Sequence, residues 1–173
     1  HTVTAAFYRE NMECLLEGLV AIFEHIGGVP TEIWFDNTRT IVTKIIKGGG
    51  RNITERFQRF CEHYRIKPLF MNPESGWEKG NVENKVGYLR RNHLVPIPRF
   101  DDLTEQNKQF LVCCETDMQR EHYEDGNGRF IRELFEEDVA HLRPLPSVPF
   151  DTANYITAKT DKYGKFTLDA GKH

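Results

Sequence analysis

The sequence predicts an α/β fold in which helices pack on a sheet of short strands. Three observations carry that prediction. An apolar stripe at helical spacing runs through residues 12–26. Two brief apolar segments, "IWF" and "IKPLFM", are too short for helices and suit buried strands. These segments alternate with further helical patterns, which is how helices come to cover a sheet. With 173 residues, 39% hydrophobic and 28% charged, the chain suits one globular domain with an appendage.

The elements follow in order. Residues 3–8 are rich in β-forming side chains and read as a strand. Met12, Leu15, Leu16, Leu19, Ile22, Phe23 and Ile26 recur at three- and four-residue steps and predict the first helix. Asn11 is placed to cap its start, Gly27 and Gly28 to end it, and Pro30 follows as a stop. Ile33, Trp34 and Phe35 form a short buried strand that ends at Asp36. "TRTIVTKIIKGGGRN" mixes β-branched residues with three glycines and predicts a loop or ribbon with a flexible tip. Thr54 is a candidate cap for a second helix, whose buried face is Phe57, Phe60, Cys61 and Tyr64. Pro68 places the "IKPLFM" strand near an edge or bulge. A third helix covers residues 81–91, a fourth carries Leu103, Phe110, Leu111, Cys114 and Met118, and a fifth covers residues 130–139. The boundaries expected are a core over residues 1–143, a proline-rich linker over 144–150, and over 151–173 the beginning of a small β domain with a turn at Tyr163-Gly164. Both ends read as cut from a longer protein.

Composition excludes several classes. No apolar run approaches the ~18–20 residues of a membrane span, and the start "HTVTAAFYRE" is no signal peptide. Cys14, Cys61, Cys113 and Cys114 form no C-x-x-C pair and read as reduced, buried thiols of a cytosolic protein. The scattered histidines make no zinc-hydrolase pattern. Nucleotide-binding glycine motifs and the G-x-S-x-G elbow are absent, which disfavours a metabolic α/β enzyme.

Net charge is −3, unevenly spread. Residues 37–99 hold thirteen basic and five acidic side chains, a local +8, between two acidic blocks. Such a block within an acidic chain suits a polyanion, although a solvated face would look the same. Within it, Asp36 leaves a buried strand at a rim, either as a site carboxylate or as a turn residue. On the third helix Val82, Val86 and Leu89 form the expected buried stripe. Glu83 and Arg90 lie seven apart on the neighbouring stripe with Gly87 between them. Glu83 is therefore on a rigid element beside the core, whereas Glu74 and Glu78 precede it in a loop. Gly87 would keep the surface between Glu83 and Arg90 open for a bulky polyanion.

"WFDN" after an apolar strand, followed by "NPESGWEKGNVENKVGYLRR", resembles the DDE transposase and retroviral integrase family. The resemblance is strongest to the IstA-type transposases of bacterial insertion sequences. "FEHIGGVPTEIWFDNTRT", "EKGNVENKVGYLRRNHL", "IRELFEEDVAHLRPLP" and "GKFTLDAGKH" carry it, over most of the chain from about Val3. It implies an RNase H-like core, a mixed sheet flanked by helices, here without its first strands, and then the start of a C-terminal β domain. It implies that Asp36 matches the second metal-binding aspartate and Glu83 the catalytic glutamate, with 46 residues between them, more than in retroviral relatives. The "KIIKGGGRN" insertion accounts for the excess as a DNA-contacting flap. Residues 1–35 hold no aspartate, so the family's first carboxylate has no match, and the fragment alone is expected to be inactive.

The implied chemistry is cleavage of DNA phosphodiesters and transfer of 3′ ends. Two Mg²⁺ or Mn²⁺ ions would be held by Asp36 and Glu83, since such hard cations take carboxylate oxygens. Arg39, Lys44, Lys47, Arg51, Lys79, Lys85, Arg90 and Arg91 are the expected DNA contacts, and Trp77 a base-stacking or packing residue. Implied partners are the element ends and target DNA, further copies of the chain and a helper ATPase, in a bacterial cytoplasm and without a membrane. Two other readings remain: a DNA-binding or assembly module without catalysis, and another RNase H-like nuclease, since a fold does not fix a function.

Overall fold

A computed structural model describes residues 2–45, 50–71, 76–99, 101–122, 128–155 and 157–166; within the third helix the side chains of residues 76–83 and 85 lie outside that description. Among the described residues the order is α1 (Met12–Ile26), β1 (Glu32–Phe35), β2 (Val42–Ile45), β3 (Arg51–Ile53), α2 (Glu55–Tyr64), β4 (Lys67–Phe70), α3 (Gly76–His93), α4 (Leu103–Asp117) and α5 (Ile131–Val139). The mixed α/β expectation holds.

α1 starts and stops where its sequence dictates. The Asn11 side chain accepts the Cys14 N–H at 2.9 Å, satisfying one of the amides that a helix start leaves over. Gly27 ends the helix at φ 76°, a conformation that a side chain would oppose. α1 lays Leu16 and Phe23 against α2, whose Phe57, Phe60, Cys61 and Tyr64 are buried as expected. Phe23, Phe57, Phe60 and Tyr64 form a ring cluster, with Tyr64 edge-on to Phe23 at 5.1 Å and tilted against Phe60 at 4.8 Å. Thr54 precedes α2 but makes no side-chain cap bond.

β1 and β4 run parallel, with Phe35 opposite Phe70. β2 and β3 form an antiparallel ribbon where a loop or ribbon was expected over 38–52; the glycines at 48 and 49 lie outside the described residues.

Four expectations are corrected. Residues 3–8 form no strand; the Asn107 side chain of α4 serves Ala6 instead, donating to its carbonyl at 3.0 Å and accepting its N–H at 2.7 Å. A side-chain amide can satisfy an extended backbone as a neighbouring strand would. β1 is buried on one face only: Phe35 packs edge-on to Phe57, whereas Trp34 is 57% exposed, because successive strand residues point to opposite faces. α3 begins earlier than expected, and its inward face is rotated. Val86 is exposed, and Tyr88 turns toward α4 in its place. No strand forms over 151–155 or 157–166, although the turn at Gly164 is present with φ 74°.

Residues 143–153 are anchored to the core rather than free. Val29 and Arg143 exchange two backbone bonds at 2.8 and 2.9 Å. The Arg143 guanidinium donates to the carbonyls of Pro30 and Tyr64, both at 3.0 Å. Phe150 packs edge-on to Phe60 and donates its N–H to the Tyr64 hydroxyl at 3.2 Å. Arg56 donates to the carbonyls of Thr152 and Ala153 and pairs with Glu13 at 3.0 Å. α4 and α5 bury a second set of side chains, Phe110, Cys114, Met118 and Ile131.

Candidate active site

In open α/β sheets, ligands bind beyond the C-terminal ends of the strands. At that end of the β1–β4 pair stand Asp36 and Met71. Asp36 is exposed, and its Oδ1 accepts the Asn37 N–H at 2.8 Å. Its carbonyl accepts the Thr38 N–H at 2.8 Å, which turns the chain sharply out of the strand. The bond from the Asn37 N–H helps to orient the Asp36 carboxylate at this rim.

Asn37 locks the two strand ends together. Its Nδ2 donates to the Met71 carbonyl at 2.7 Å, and its Oδ1 accepts from Arg51 Nε at 2.8 Å. Arg51 also donates to the Met71 carbonyl at 3.2 Å. One guanidinium, one amide and one carbonyl thus join β1, β3 and the end of β4. Sequence reasoning gave Asn37 no role beyond its place beside Asp36 and gave Arg51 to DNA. The long separation of residues 37, 51 and 71 hides this network from any local pattern.

From Met71 the chain passes through residues 72–75, outside the described residues, into α3. Glu83 belongs to α3 by its backbone; its side chain, with those of Trp77, Lys79 and Lys85, lies outside the described residues, as do Lys47 and Glu74 entirely. The Asp36–Glu83 carboxylate separation therefore also falls outside them. Arg90 follows Glu83 by two helical turns, about 10 Å along the axis at ~1.5 Å per residue. Arg39, Lys44, Arg90 and Arg91 are exposed, as a phosphate-binding role requires. Gly87 lies beneath the Arg91 side chain. A Cβ there would lie 3.1 Å from an Arg91 guanidinium nitrogen, so the missing side chain makes room for Arg91.

The far end of α3 is held by α4. Tyr88 donates to Asp117 Oδ1 at 3.0 Å while Arg120 lies over its ring at 4.4 Å and 3.4 Å from the same carboxylate. His93 Nε2 approaches Asp117 Oδ2 at 3.6 Å, with its side chain only 4% exposed. Burial first, and then the hydrogen bond to Asp117, push the Tyr88 phenol above its ordinary range. The sequence reading missed this anchor, because Tyr88 lies off the expected Val82–Val86–Leu89 stripe and its partner Asp117 is on α4.

Asp36 offers the hard oxygen donors that a divalent cation takes. No group of three His, Cys, Asp or Glu side chains suited to a metal occurs among the described residues, a set that excludes the Glu83 carboxylate.

The chain is 33% identical to a transposase of Aminobacter aminovorans over 149 residues, 86% of this chain and 29% of that protein. The chain is homologous to insertion-sequence transposases. It is 29% identical over 145 residues to the transposase for insertion sequences IS1326/IS1353 of Pseudomonas aeruginosa, covering 84% of this chain and 28% of that one. It is 28% identical over 130 residues to the transposase for an IS21-like insertion sequence element of Bacteroides fragilis, covering 73% and 24%. The homologue thus spans under a third of the length of these curated relatives, and the IstA-type resemblance fits them. No protein-family profile matches the chain. In this transposase homologue, among the described residues, no helix is long and apolar enough to cross a membrane.

Proposed function

We propose that this chain is part of the catalytic core of a DDE-type, RNase H-like transposase that cleaves DNA phosphodiesters and joins 3′ ends to target DNA. The supporting observation is the exposed Asp36 at the C-terminal end of a parallel strand pair, oriented by its neighbour's amide, with the glutamate-bearing α3 continuing from the partner strand. In this reading Asp36 and Glu83 hold two Mg²⁺ or Mn²⁺ ions. Bound there, the ions would supply Lewis-acid stabilisation of charge on the phosphate and a lowered pKa for the attacking water or hydroxyl. The chain's own residues do the rest. Asn37 and Arg51 fix the rim on which Asp36 sits. Arg39, Lys44, Lys47, Lys79, Lys85, Arg90 and Arg91 hold backbone phosphates through screened charge, which makes binding salt-dependent. Residues 1–35 contain no aspartate, so in this reading the family's first carboxylate has no match among them and the 173 residues alone do not cleave DNA. The complete protein works as an oligomer with a helper ATPase in the bacterial cytoplasm.

The test is strand transfer by a transposase of the relatives' full length that contains this segment. Asp36→Asn and Glu83→Gln should each lower the joining rate by about a thousandfold or more, as loss of several kcal/mol of metal-borne stabilisation requires, while duplex binding persists. Cleavage without joining would indicate a nuclease, and joining unaffected by either substitution would remove both residues from the site.

A further inference from the structure

The turn from α3 to α4 presents apolar side chains to solvent where most turns present polar ones. Leu94, Val95 and Ile97 are 36%, 68% and 85% exposed. Single exposed apolar residues need no explanation, but a cluster at one tip does. Pro96 and Pro98 bracket Ile97 and fix φ on both sides of it, so the tip keeps its shape. Its base is secured as well. Leu94 N–H donates to the Arg90 carbonyl at 3.2 Å, and Tyr88 and His93 tie this end of α3 to Asp117.

The charge around the tip has one sign. Residues 84–100 contain four basic side chains and no acidic one. Arg90, Arg91 and Arg99 are exposed, and none of the three forms an ion pair among the described residues. The next carboxylates are Asp101, which is exposed, and Asp102, whose Oδ1 is used to cap α4 through Thr104 N–H at 2.9 Å.

We propose that Val95 and Ile97 form an apolar wedge that enters a base step of duplex DNA, with Arg90, Arg91 and Arg99 gripping the flanking phosphates. Aliphatic side chains and proline are the groups that unstack base pairs from the groove side, and the unstacking is offset by the added contact surface of the bent duplex. Arginine charge that forms no ion pair among the described residues favours a polyanion over an apolar protein surface. The wedge rests on the reading that the chain acts on DNA and adds to it a deforming element separate from the carboxylates.

The experiment compares two short duplexes, identical except for one central mismatch, in fluorescence anisotropy titrations with the 173-residue chain. A wedge enters a mismatched step more cheaply, because part of the unstacking has already occurred. The chain should prefer the mismatched duplex by about tenfold, a modest part of a typical unstacking cost. Val95→Ser combined with Ile97→Ser should abolish the preference and leave affinity for the perfect duplex unchanged. Both positions are exposed, and an unaltered circular dichroism melting curve verifies the fold. Wild-type protein that binds both duplexes equally, or a double variant that keeps the preference, overturns the wedge and leaves the transposase reading standing. Failure of wild-type protein to bind either duplex counts against both. A double variant that changes the sedimentation mass without DNA yet retains the mismatch preference assigns the tip to a contact between copies and also overturns the wedge.

Discussion

At the end of β1 one amide side chain, Asn37, bonds both a backbone carbonyl and a guanidinium, at 2.7 and 2.8 Å. Asn37→Ala should cost about 1–2 kcal/mol in urea unfolding, because Arg51 keeps the Met71 carbonyl satisfied and limits the loss. Tyr88 makes a second residue-scale prediction. Its phenol is raised by burial and by the bond to Asp117, so the neutral form is favoured in the folded chain. Its contribution is present below the ordinary tyrosine pKa of about 10 and is lost as pH rises through the higher folded value. Phenolate absorbance should show Tyr88 ionising late, and Asp117→Asn should bring that ionisation back toward the ordinary range. Asp36 was legible in sequence as a strand-end carboxylate because a polar residue after three bulky apolar ones has few other places to go. The Asn37–Arg51–Met71 lock was not, because nothing local announces a bond between residues so far apart along the chain.

Elements differ in how much of their geometry periodicity reveals. α1 and α2 were readable because their apolar stripes meet one another and little competes with that packing. α3 was not fully readable. Its Val82–Val86–Leu89 stripe implied one rotation, yet Val86 is exposed, since the Tyr88–Asp117 bond and the stacked Arg120 decide which side faces α4. Residues 3–8 show a related failure: their β propensity is genuine, but Asn107 satisfies the backbone at Ala6 where a strand was expected. Gly87 tests the account of α3. An alanine there meets only the mobile end of Arg91, and alanine exceeds glycine in helix propensity by about 0.8–1 kcal/mol. Gly87→Ala should therefore raise the melting temperature. An unchanged or lower value would mean that the seat of Arg91 over Gly87 contributes as much as the propensity.

Across the molecule, residues 143–153 bind the end of the core back to its beginning. The three prolines of "RPLPSVPF" suggested an extended linker. Its attachment was hidden, because the partners of this segment are carbonyls and ring edges on α2 and at Val29. Arg56→Ala should free the stretch around Thr152 and Ala153, raising amide exchange at residues 150–153 by about tenfold for the loss of a charge-assisted bond, measurable by mass spectrometry with global stability nearly intact. The placement of these moorings has a mechanical consequence. Arg143 fastens to Val29 and Pro30, ahead of the first residue of β1, and to Tyr64, ahead of the first residue of β4, whereas Asp36 follows the last residue of β1. Tension on the polypeptide beyond Ala153 is thus borne by the aromatic cluster and the upstream end of the strand, and the carboxylate rim is shielded from the load.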